Sequence, residues 1–201
     1  VKLKELKSIK LIGIHFHIGS QIEEVDTFKP LCDKVNELQD YFESKEIKLD
    51  HINLGGGLGI DYENPNEYPI PDIVSYFKIF HDNLKVREGQ QVHFELGRAI
   101  VAQSGSLVTK VVYVKEGDTK QLAIVDAGMT DLIRPALYQA YHKIENITSD
   151  QPEEKYDVVG PICESSDFFA KEYMLNKTRR GDLLVLRSAG AYGEIMASQY
   201  N

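Results

Sequence analysis

The sequence predicts an α/β chain in which parallel β/α units are followed by a mostly antiparallel β domain. In the first half, strand signals alternate with helix signals. The strands end at His17, Gly55 and Glu95, about 40 residues apart, which is typical of parallel β/α units in a barrel or an open sheet. In the second half the pattern changes to strands joined by tight turns. We therefore expect parallel β/α units, wound either as a barrel or as an open sheet, over residues 1–100 and a β domain over residues 101–201.

Three strands and two helices account for the first half. The strands are indicated by β-rich runs at residues 9–17, 49–54 and 91–95. Asp26 is a candidate N-cap for the first helix, and Pro71 opens the second. Apolar residues then recur at the spacing of a helix with one buried stripe. The stripes are Phe28, Leu31, Val35, Leu38 and Phe42 in the first helix, and Ile73, Phe77, Phe80 and Leu84 in the second.

Four glycines stand within five residues where the second strand ends, from Gly55 to Gly59. Because glycine has no Cβ, consecutive N–H groups there can face one point and approach an anion closely, and a phosphate is the expected guest. A dinucleotide site is disfavoured, since Ile60 stands where the fingerprint G-x-G-x-x-G needs its last glycine. The alternative is a tight strand-to-helix turn that binds no ligand.

The second half reads as antiparallel strands. Residues 106–114 and 121–126 carry strand signals on either side of a short turn, and together they predict a hairpin. Further strands are expected at residues 156–160 and 182–187. The polar segment 146–155 is expected to form a surface loop.

Composition excludes several classes of protein. With 42% hydrophobic residues in a chain of 201, there is enough apolar material for a sizeable core, whereas a net charge of −8 argues against a nucleic-acid surface. No apolar run approaches the roughly 20 residues of a membrane helix, and no signal sequence opens the chain. The two cysteines, Cys32 and Cys163, suit a reducing compartment, so we expect the cytoplasm. Because the first residue is Val1 and residues 2–7 read like the end of a helix, we also expect a piece of a longer protein.

Candidate functional groups lie at the carboxyl ends of the predicted strands, where parallel β/α folds bind their ligands. His17 offers an aromatic base, the glycines an anion cradle, Glu95 a carboxylate and Arg98 a guanidinium. A flat cofactor with a phosphate tail would use all four, with Glu95 on a ring nitrogen that must stay protonated. Taken singly, His17 is typical of a core or loop histidine, and Glu95 of a solvated or salt-bridged residue at a strand end. Their shared position favours a site.

On seven motifs the chain resembles the diaminopimelate decarboxylases, in which the motifs occur in the same order. The motifs are HFHIGSQ at 15–21, GGGLG at 55–59, ELGR at 95–98, DAGM at 126–129, RPALY at 134–138, CES at 163–165 and AGAYG at 189–193. Members of that family are pyridoxal 5'-phosphate (PLP) enzymes with a TIM-like β/α barrel followed by a β domain. The resemblance implies that this chain corresponds to the last three barrel units and most of the second domain.

The resemblance also implies a set of cofactor contacts. These are His17 on the ring, Ser20, Gly55, Gly56 and Gly57 at the phosphate, Glu95 at the pyridine nitrogen, and Gly97, Arg98 and Tyr192 nearby. It implies no metal ligand.

The implied substrate contacts lie mostly in the second half. They are Arg98, Arg134 and Tyr138 at the distal end of the substrate, Glu164 at its distal ammonium, and Tyr192 between cofactor and substrate. The opposed charges of Arg134 and Glu164 would suit a second amino-acid head group. The implied catalytic residues are Cys163, as the proton donor, and His17. In the family, Cys163 and Glu164 reach into the partner subunit's active site, so the resemblance implies a homodimer.

The chain departs from the family in two places. Leu96 stands where the family usually has proline, and no lysine lies in a motif that matches the family's Schiff-base lysine. The implied activity is decarboxylation of meso-2,6-diaminopimelate to L-lysine, the final step of lysine biosynthesis, by an enzyme of which this chain is an incomplete part. One alternative is a decarboxylase of ornithine, arginine or a carboxylated polyamine, in which Arg134 and Tyr138 would have no carboxylate to bind. The other is a binding relative that lacks the lysine and catalyses nothing.

Overall fold

The computed structural model describes residues 5–201, and the chain divides into two compact units. The first unit extends to Ile60 and resumes over Ile70–Ala99, while the second comprises Asp61–Pro69 and Ile100–Asn201. Of the helix end predicted at residues 2–7, positions 2–4 lie outside the described residues. The short segment at 61–69 therefore leaves the strand–helix order of the first half and joins the second unit.

The first unit contains a three-stranded parallel sheet in the order β1-β2-β3. Its strands are β1 (Gly13–His15), β2 (His51–Asn53) and β3 (Gln91–His93). In the register, Ile14 lies opposite Ile52, which lies opposite Val92. The parallel order predicted from the strand–helix rhythm is confirmed, although each strand is shorter than its predicted run.

The first helix, α1 (Lys29–Glu43), begins later than predicted. The expectation that Asp26 caps it is wrong, because Val25–Phe28 forms a 3₁₀ turn and Asp26 instead pairs with Lys29 at 2.9 Å. Pro30 occupies the first turn of α1, where its fixed φ and missing N–H are tolerated, and this sets the start of the helix.

The second helix, α2 (Ile73–Asn83), is capped by Asp72, whose side chain accepts a hydrogen bond from the N–H of Ser75 at 2.9 Å. Pro71 therefore precedes the cap, and the expectation that it opens the helix is wrong. The buried face of α2 also differs from the predicted one, because Tyr76 is fully buried whereas Phe77, which was expected to be buried, is 39% exposed.

The two faces of the three-stranded sheet differ in polarity, because successive side chains on a strand point to opposite faces. One face is apolar and packs against α1 and α2. Its residues, which lie on the strands or directly after them, are Ile14, Phe16, Ile52, Leu54, Val92 and Phe94. The other face carries polar side chains, among them the hydrogen-bonded pair His51 and His93 at 2.9 Å. Chemistry-bearing groups at the strand ends are thus presented on a face that the helices leave uncovered.

Cys32 lies on the inner side of α1 and is fully buried. Burial raises the pKa of its thiol to about 11, with a smaller contribution from the charge of Asp33. This thiol is a packing group, as expected, and has little thiolate available at neutral pH.

The second unit is built on a six-stranded sheet in the order β6-β9-β4-β5-β7-β8. Its strands are β4 (Leu107–Glu116), β5 (Gln121–Val125), β6 (Ile144–Asn146), β7 (Glu153–Val159), β8 (Phe168–Asn176) and β9 (Leu183–Leu186). Every neighbouring pair is antiparallel except β5 and β7, which are parallel. The hairpin of β4 and β5 is confirmed, while β6 and β8 had no counterpart among the predicted strands. The chain also contains two short helices, α3 (Arg98–Val101) and α4 (Arg134–Tyr138).

The loop predicted at residues 146–155 is wrong at both ends. Asn146 closes β6, and β7 begins at Glu153, so the connection spans only residues 147–152. Asn146 is buried, and its amide donates to Thr178 Oγ1 at 3.1 Å and to Asp182 Oδ2 at 3.0 Å. Its polarity therefore serves an internal hydrogen-bond network rather than contact with water. Among the described residues, no helix is long and apolar enough to cross a membrane.

Candidate functional site

Glu95 lies two residues after the end of β3 and is held by side chains from the other two strands of the first unit. Asn53 donates to Glu95 Oε1 at 2.7 Å, and Nε2 of His15 lies 3.3 Å from Oε2. Both side chains of the His15–Glu95 pair are more than half exposed, so the pair adds little to stability, and its effect is to orient the carboxylate. Sequence reasoning identified Glu95 but missed His15 and Asn53. Their positions could have identified them, because each lies two residues before a predicted site residue and therefore on the same face of the strand.

The glycine loop after β2 is closely packed between the ends of β1 and β3. A Cβ added at Gly56 would collide with the carbonyl oxygen of Glu95, and one at Gly57 would lie 2.6 Å from the carbonyl oxygen of Gly19. Gly55 and Gly57 also have positive φ angles, of 68° and 110°. Close approach between strand ends is therefore one reason for these glycines, whether or not a ligand binds.

The amides of the same loop suit an anion. The N–H of Gly55 donates to Asn53 Oδ1 at 2.8 Å, whereas those of Gly56 and Gly57 meet no acceptor among the described residues of the first unit. Gly56 is buried and Gly57 half-buried, and a buried N–H without a partner is costly, so these two adjacent donors favour a bound anion.

Other predicted cofactor residues lie around this loop. His17 is adjacent to it, since a Cβ at Gly55 would lie 3.2 Å from His17 Nδ1. Arg98 donates from Nη2 to Ser20 Oγ at 3.3 Å, and Ile22, shortly after Ser20, donates from its N–H to the carbonyl of Gly57 at 2.9 Å. The first unit thus brings together the residues predicted for the ring, the phosphate and the ring nitrogen, with Gly97 between Glu95 and α3.

Arg134, the first residue of α4, is only 7% exposed. Its Nη1 donates to the hydroxyl of Tyr62 at 3.1 Å and to Nε2 of His142 at 2.9 Å, and its guanidinium carbon lies 5.3 Å from the centroid of the Tyr62 ring. Among the described residues of the second unit, no carboxylate forms an ion pair with it. A buried cation without a counter-ion is unfavourable, so this arrangement favours an anionic ligand. Tyr138, 61% exposed, lies one helical turn along α4 on the same side.

Cys163 and Glu164 lie in the loop between β7 and β8. Cys163 is exposed, and Glu164 accepts a hydrogen bond from the hydroxyl of Tyr200 at 3.0 Å. The loop is held by Asp167, which is 5% exposed and accepts from the N–H groups of Met129 at 2.6 Å and Ile162 at 2.7 Å. The predicted thiol and carboxylate are thus fixed by a buried residue that sequence reasoning missed.

Tyr192 lies in the turn after β9 and is 38% exposed. The turn is closed by the N–H of Gly193, which donates to the carbonyl of Ala189 at 3.0 Å.

Sequence reasoning also missed Tyr62 and His142, because nothing in their local pattern marks them. In the structure their contacts with Arg134 identify them.

Known proteins are similar to this chain over most of its length. A family model described as "Pyridoxal-dependent decarboxylase, C-terminal sheet domain" matches residues 16–190. A diaminopimelate decarboxylase of Bacteroides thetaiotaomicron is 65% identical over 197 residues, which cover 98% of this chain and 51% of the relative. Another, from Neisseria meningitidis serogroup B, is 43% identical over 195 residues, which cover 96% of this chain and 46% of the relative.

Solved structures give the same result. The crystal structure of diaminopimelate decarboxylase from Helicobacter pylori complexed with L-lysine matches with a TM-score of 0.85 and 40% identity, covering 94% of this chain and 46% of that chain. The chain thus spans about half the length of the curated relatives that it matches. With the family model extending over most of the sequence and both kinds of relative in agreement, the chain belongs to the pyridoxal-dependent decarboxylase family.

Proposed function

We propose that this chain forms the part of a PLP-dependent diaminopimelate decarboxylase that binds the cofactor's ring and phosphate and the distal end of the substrate. The complete enzyme would convert meso-2,6-diaminopimelate to L-lysine. The observation that carries the choice of substrate is Arg134, a buried guanidinium that no carboxylate in its own unit neutralises. A substrate with a carboxylate at its far end supplies the missing negative charge.

The residues of the first unit fit the cofactor. The amides of Gly56 and Gly57, which meet no acceptor among the described residues of the first unit, would hold the phosphate together with Ser20 and Arg98. His17 would lie on the ring, and Glu95 would hold a proton at the ring nitrogen. Bound there, PLP supplies an electron sink for the pair left on Cα when CO₂ departs.

Each remaining residue has a task that its chemistry permits. Asn53 and His15 keep Glu95 oriented, because both contact its carboxylate. Cys163 delivers a proton to Cα after CO₂ is lost, and Tyr192 contributes a wall between cofactor and substrate. Arg134 and Tyr138 hold the distal carboxylate, and Glu164 holds the distal ammonium.

The same proposal extends to architecture and assembly. Residues 1–100 would form the last three units of a TIM-like barrel, and residues 101–201 would carry the substrate and dimer-interface residues. Cys163 and Glu164 would complete the active site of a second copy in a homodimer, and the exposure of Cys163 supports this. The exposed, unpaired thiol also favours the cytoplasm, where thiols stay reduced. Because no lysine in this chain matches the covalent anchor of the family, the 201-residue chain alone should be inactive.

Arg134 also separates the candidate substrates. Ornithine, arginine and related amines carry only a nitrogen group at the far end, which would be placed against a buried cation. Such a pairing repels, whereas a carboxylate attracts. The buried position of Arg134 therefore favours diaminopimelate over these amines.

The test is steady-state decarboxylation by the complete protein that contains this chain. Arg134→Ala should lower kcat/KM for meso-diaminopimelate. The loss should correspond to about 2–4 kcal/mol of transition-state binding free energy, the scale for removing one partner of a buried charge pair. The matched control is Arg180→Ala, an exposed arginine in the turn before β9. If Arg134→Ala behaves like the control, or if ornithine is decarboxylated as well as diaminopimelate, the substrate assignment is wrong.

A further inference from the structure

We infer that His142 is a positioning residue for Arg134, a neutral imidazole that fixes the guanidinium so that one of its edges faces a carboxylate. The inference is carried by contacts within the second unit. It rests on the proposed function only in naming the distal carboxylate of the substrate as the ligand.

The tautomer of His142 follows from its two neighbours. An arginine side chain has only donors, so Nε2 of His142, 2.9 Å from Nη1 of Arg134, must present a lone pair. Nδ1 lies 2.9 Å from the carbonyl oxygen of Arg187, which only accepts, so Nδ1 carries the hydrogen. His142 is 2% exposed, so water does not compete for either contact. Both ring nitrogens are therefore committed, and the ring is neutral.

The hydrogens of Arg134 can be assigned in the same way. Nη1 carries two, and these are taken by His142 and by the hydroxyl of Tyr62. The Tyr62 ring also packs edge-on against the His142 ring, with centroids 5.3 Å apart. The three N–H groups on Nε and Nη2 find no acceptor among the described residues of this unit. That edge is the one that binds a carboxylate through two parallel hydrogen bonds.

The position of His142 is set by the sheet. His142 directly precedes Lys143 and β6, and Arg187 directly follows β9. The N–H of Arg187 donates to the carbonyl of Lys143 at 2.8 Å, which extends the β6–β9 pairing by one more bond. The carbonyl that orients His142 is thus part of the sheet backbone, and a site supported in this way holds its geometry closely.

A neutral acceptor at this place has a particular consequence. An aspartate or glutamate would also orient Arg134, but it would neutralise the guanidinium and compete with the carboxylate of a ligand. Imidazole accepts the hydrogen bond and leaves the positive charge in place. His142 therefore gives orientation without loss of charge, which a site for an anion requires.

The experiment measures binding to the complete, cofactor-loaded protein by calorimetry, with two probes. L-Lysine has a carboxylate beside one of its amines, and cadaverine is the same diamine without that carboxylate. His142→Leu should weaken L-lysine binding by about 10- to 100-fold, the effect of losing a hydrogen bond to a charged group. The affinity for cadaverine should change by no more than about twofold. His142→Gln should restore most of the L-lysine affinity, because its amide offers both an acceptor and a donor.

Controls separate this inference from the proposed function. His81→Leu, at an exposed histidine of α2, should leave the affinity for both ligands unchanged. If Arg134→Ala leaves L-lysine affinity unchanged, the assignment of the substrate end falls. If Arg134→Ala weakens L-lysine binding and His142→Leu does not, only the role of His142 is refuted. The same holds if His142→Leu weakens the binding of L-lysine and of cadaverine equally. Should His142→Leu not fold, Tyr62→Phe, which removes only the hydroxyl acceptor, must still weaken L-lysine by at least about threefold without affecting cadaverine.

Discussion

Asp167 is expected to determine both the stability of the second unit and the conformation of the loop that carries Cys163. Its carboxylate is buried and accepts two backbone hydrogen bonds, from Met129 and Ile162. A Cβ at Gly160 would lie 2.6 Å from its Oδ1, so the neighbouring backbone is shaped around this side chain. Replacement of Asp167 therefore removes contacts that no other group can supply.

The magnitude follows from these two contacts. A hydrogen bond to a charged group contributes about 1.5–3 kcal/mol, so loss of both in Asp167→Ala should lower the free energy of unfolding by about 3–6 kcal/mol. Asp167→Asn keeps one acceptor oxygen and places an amide donor against the other N–H, so it should lose roughly half as much. Because domains have about 5–15 kcal/mol of stability in total, the alanine variant should be close to its limit at room temperature.

The assay is urea unfolding followed by tyrosine fluorescence. The sequence has no tryptophan, and of its 11 tyrosines only Tyr41 and Tyr76 lie in the first unit, so the signal reports mainly on the second unit. Asp118→Ala, at an exposed carboxylate in the β4–β5 turn, is the matched control. Hydrogen exchange at the N–H of Ile162 gives a local readout, because this N–H loses its acceptor.

Two results would refute the reasoning. One is a urea midpoint for Asp167→Ala that equals the midpoint of the Asp118→Ala control. The other is a lower midpoint with unchanged exchange at Ile162, since the lost stability would then arise elsewhere.

Three further predictions concern catalysis, the glycine loop and pH. In the complete protein, Cys163→Ala should lower kcat with little change in substrate affinity, because the proton is delivered after binding; an unchanged kcat would remove Cys163 as the donor. Gly56→Ala should weaken PLP binding measured by absorbance titration, since its methyl group collides with a neighbouring strand end, and equal affinity would argue against the loop as the phosphate site. The N–H of Lys110 and the hydroxyl of Thr109 hold the pKa of Asp126 below its usual 3.8. The stability that this carboxylate contributes is present above pH 3.8 and is lost as the pH falls through its lower folded-state pKa. Asp126→Asn should therefore reduce the loss of unfolding free energy on the acid side of a profile of stability against pH. Parallel profiles for the two proteins would contradict this.

Much of the first unit could be predicted, because its signals are local. Apolar periodicity and glycine content mark the strand ends, and parallel strands carry their carboxyl ends to one edge. The start of α1 could not be placed, since Asp26 looks like a cap and only the 3₁₀ turn before Pro30 prevents it from acting as one. The strand β6 was missed because three residues are too few to show alternation.

The contacts that complete the candidate site could not be predicted, because they join distant residues. Tyr62 and Arg134 are 72 positions apart, and His142 and the carbonyl of Arg187 are 45 apart. No local pattern relates them, and the sheet that brings them together has a non-sequential strand order. The identity of Arg134 as a candidate could be predicted from its motif, but the neutral histidine beside it could not.

That strand order also affects how the chain folds as it is synthesised. In the folded sheet β4 pairs with β5 on one edge and with β9, the last strand in the sequence, on the other, so β5 can pair with β4 during synthesis well before β9 is made. At about 5–20 residues per second, residue 186 follows residue 107 by roughly 4–16 s, and during this time one edge of β4 has no partner. Lys110 and Lys115 lie on this strand, and charged residues of this kind discourage pairing with other chains while the edge is open. A nascent chain stalled before β9 should therefore associate with other chains more readily than one released after it.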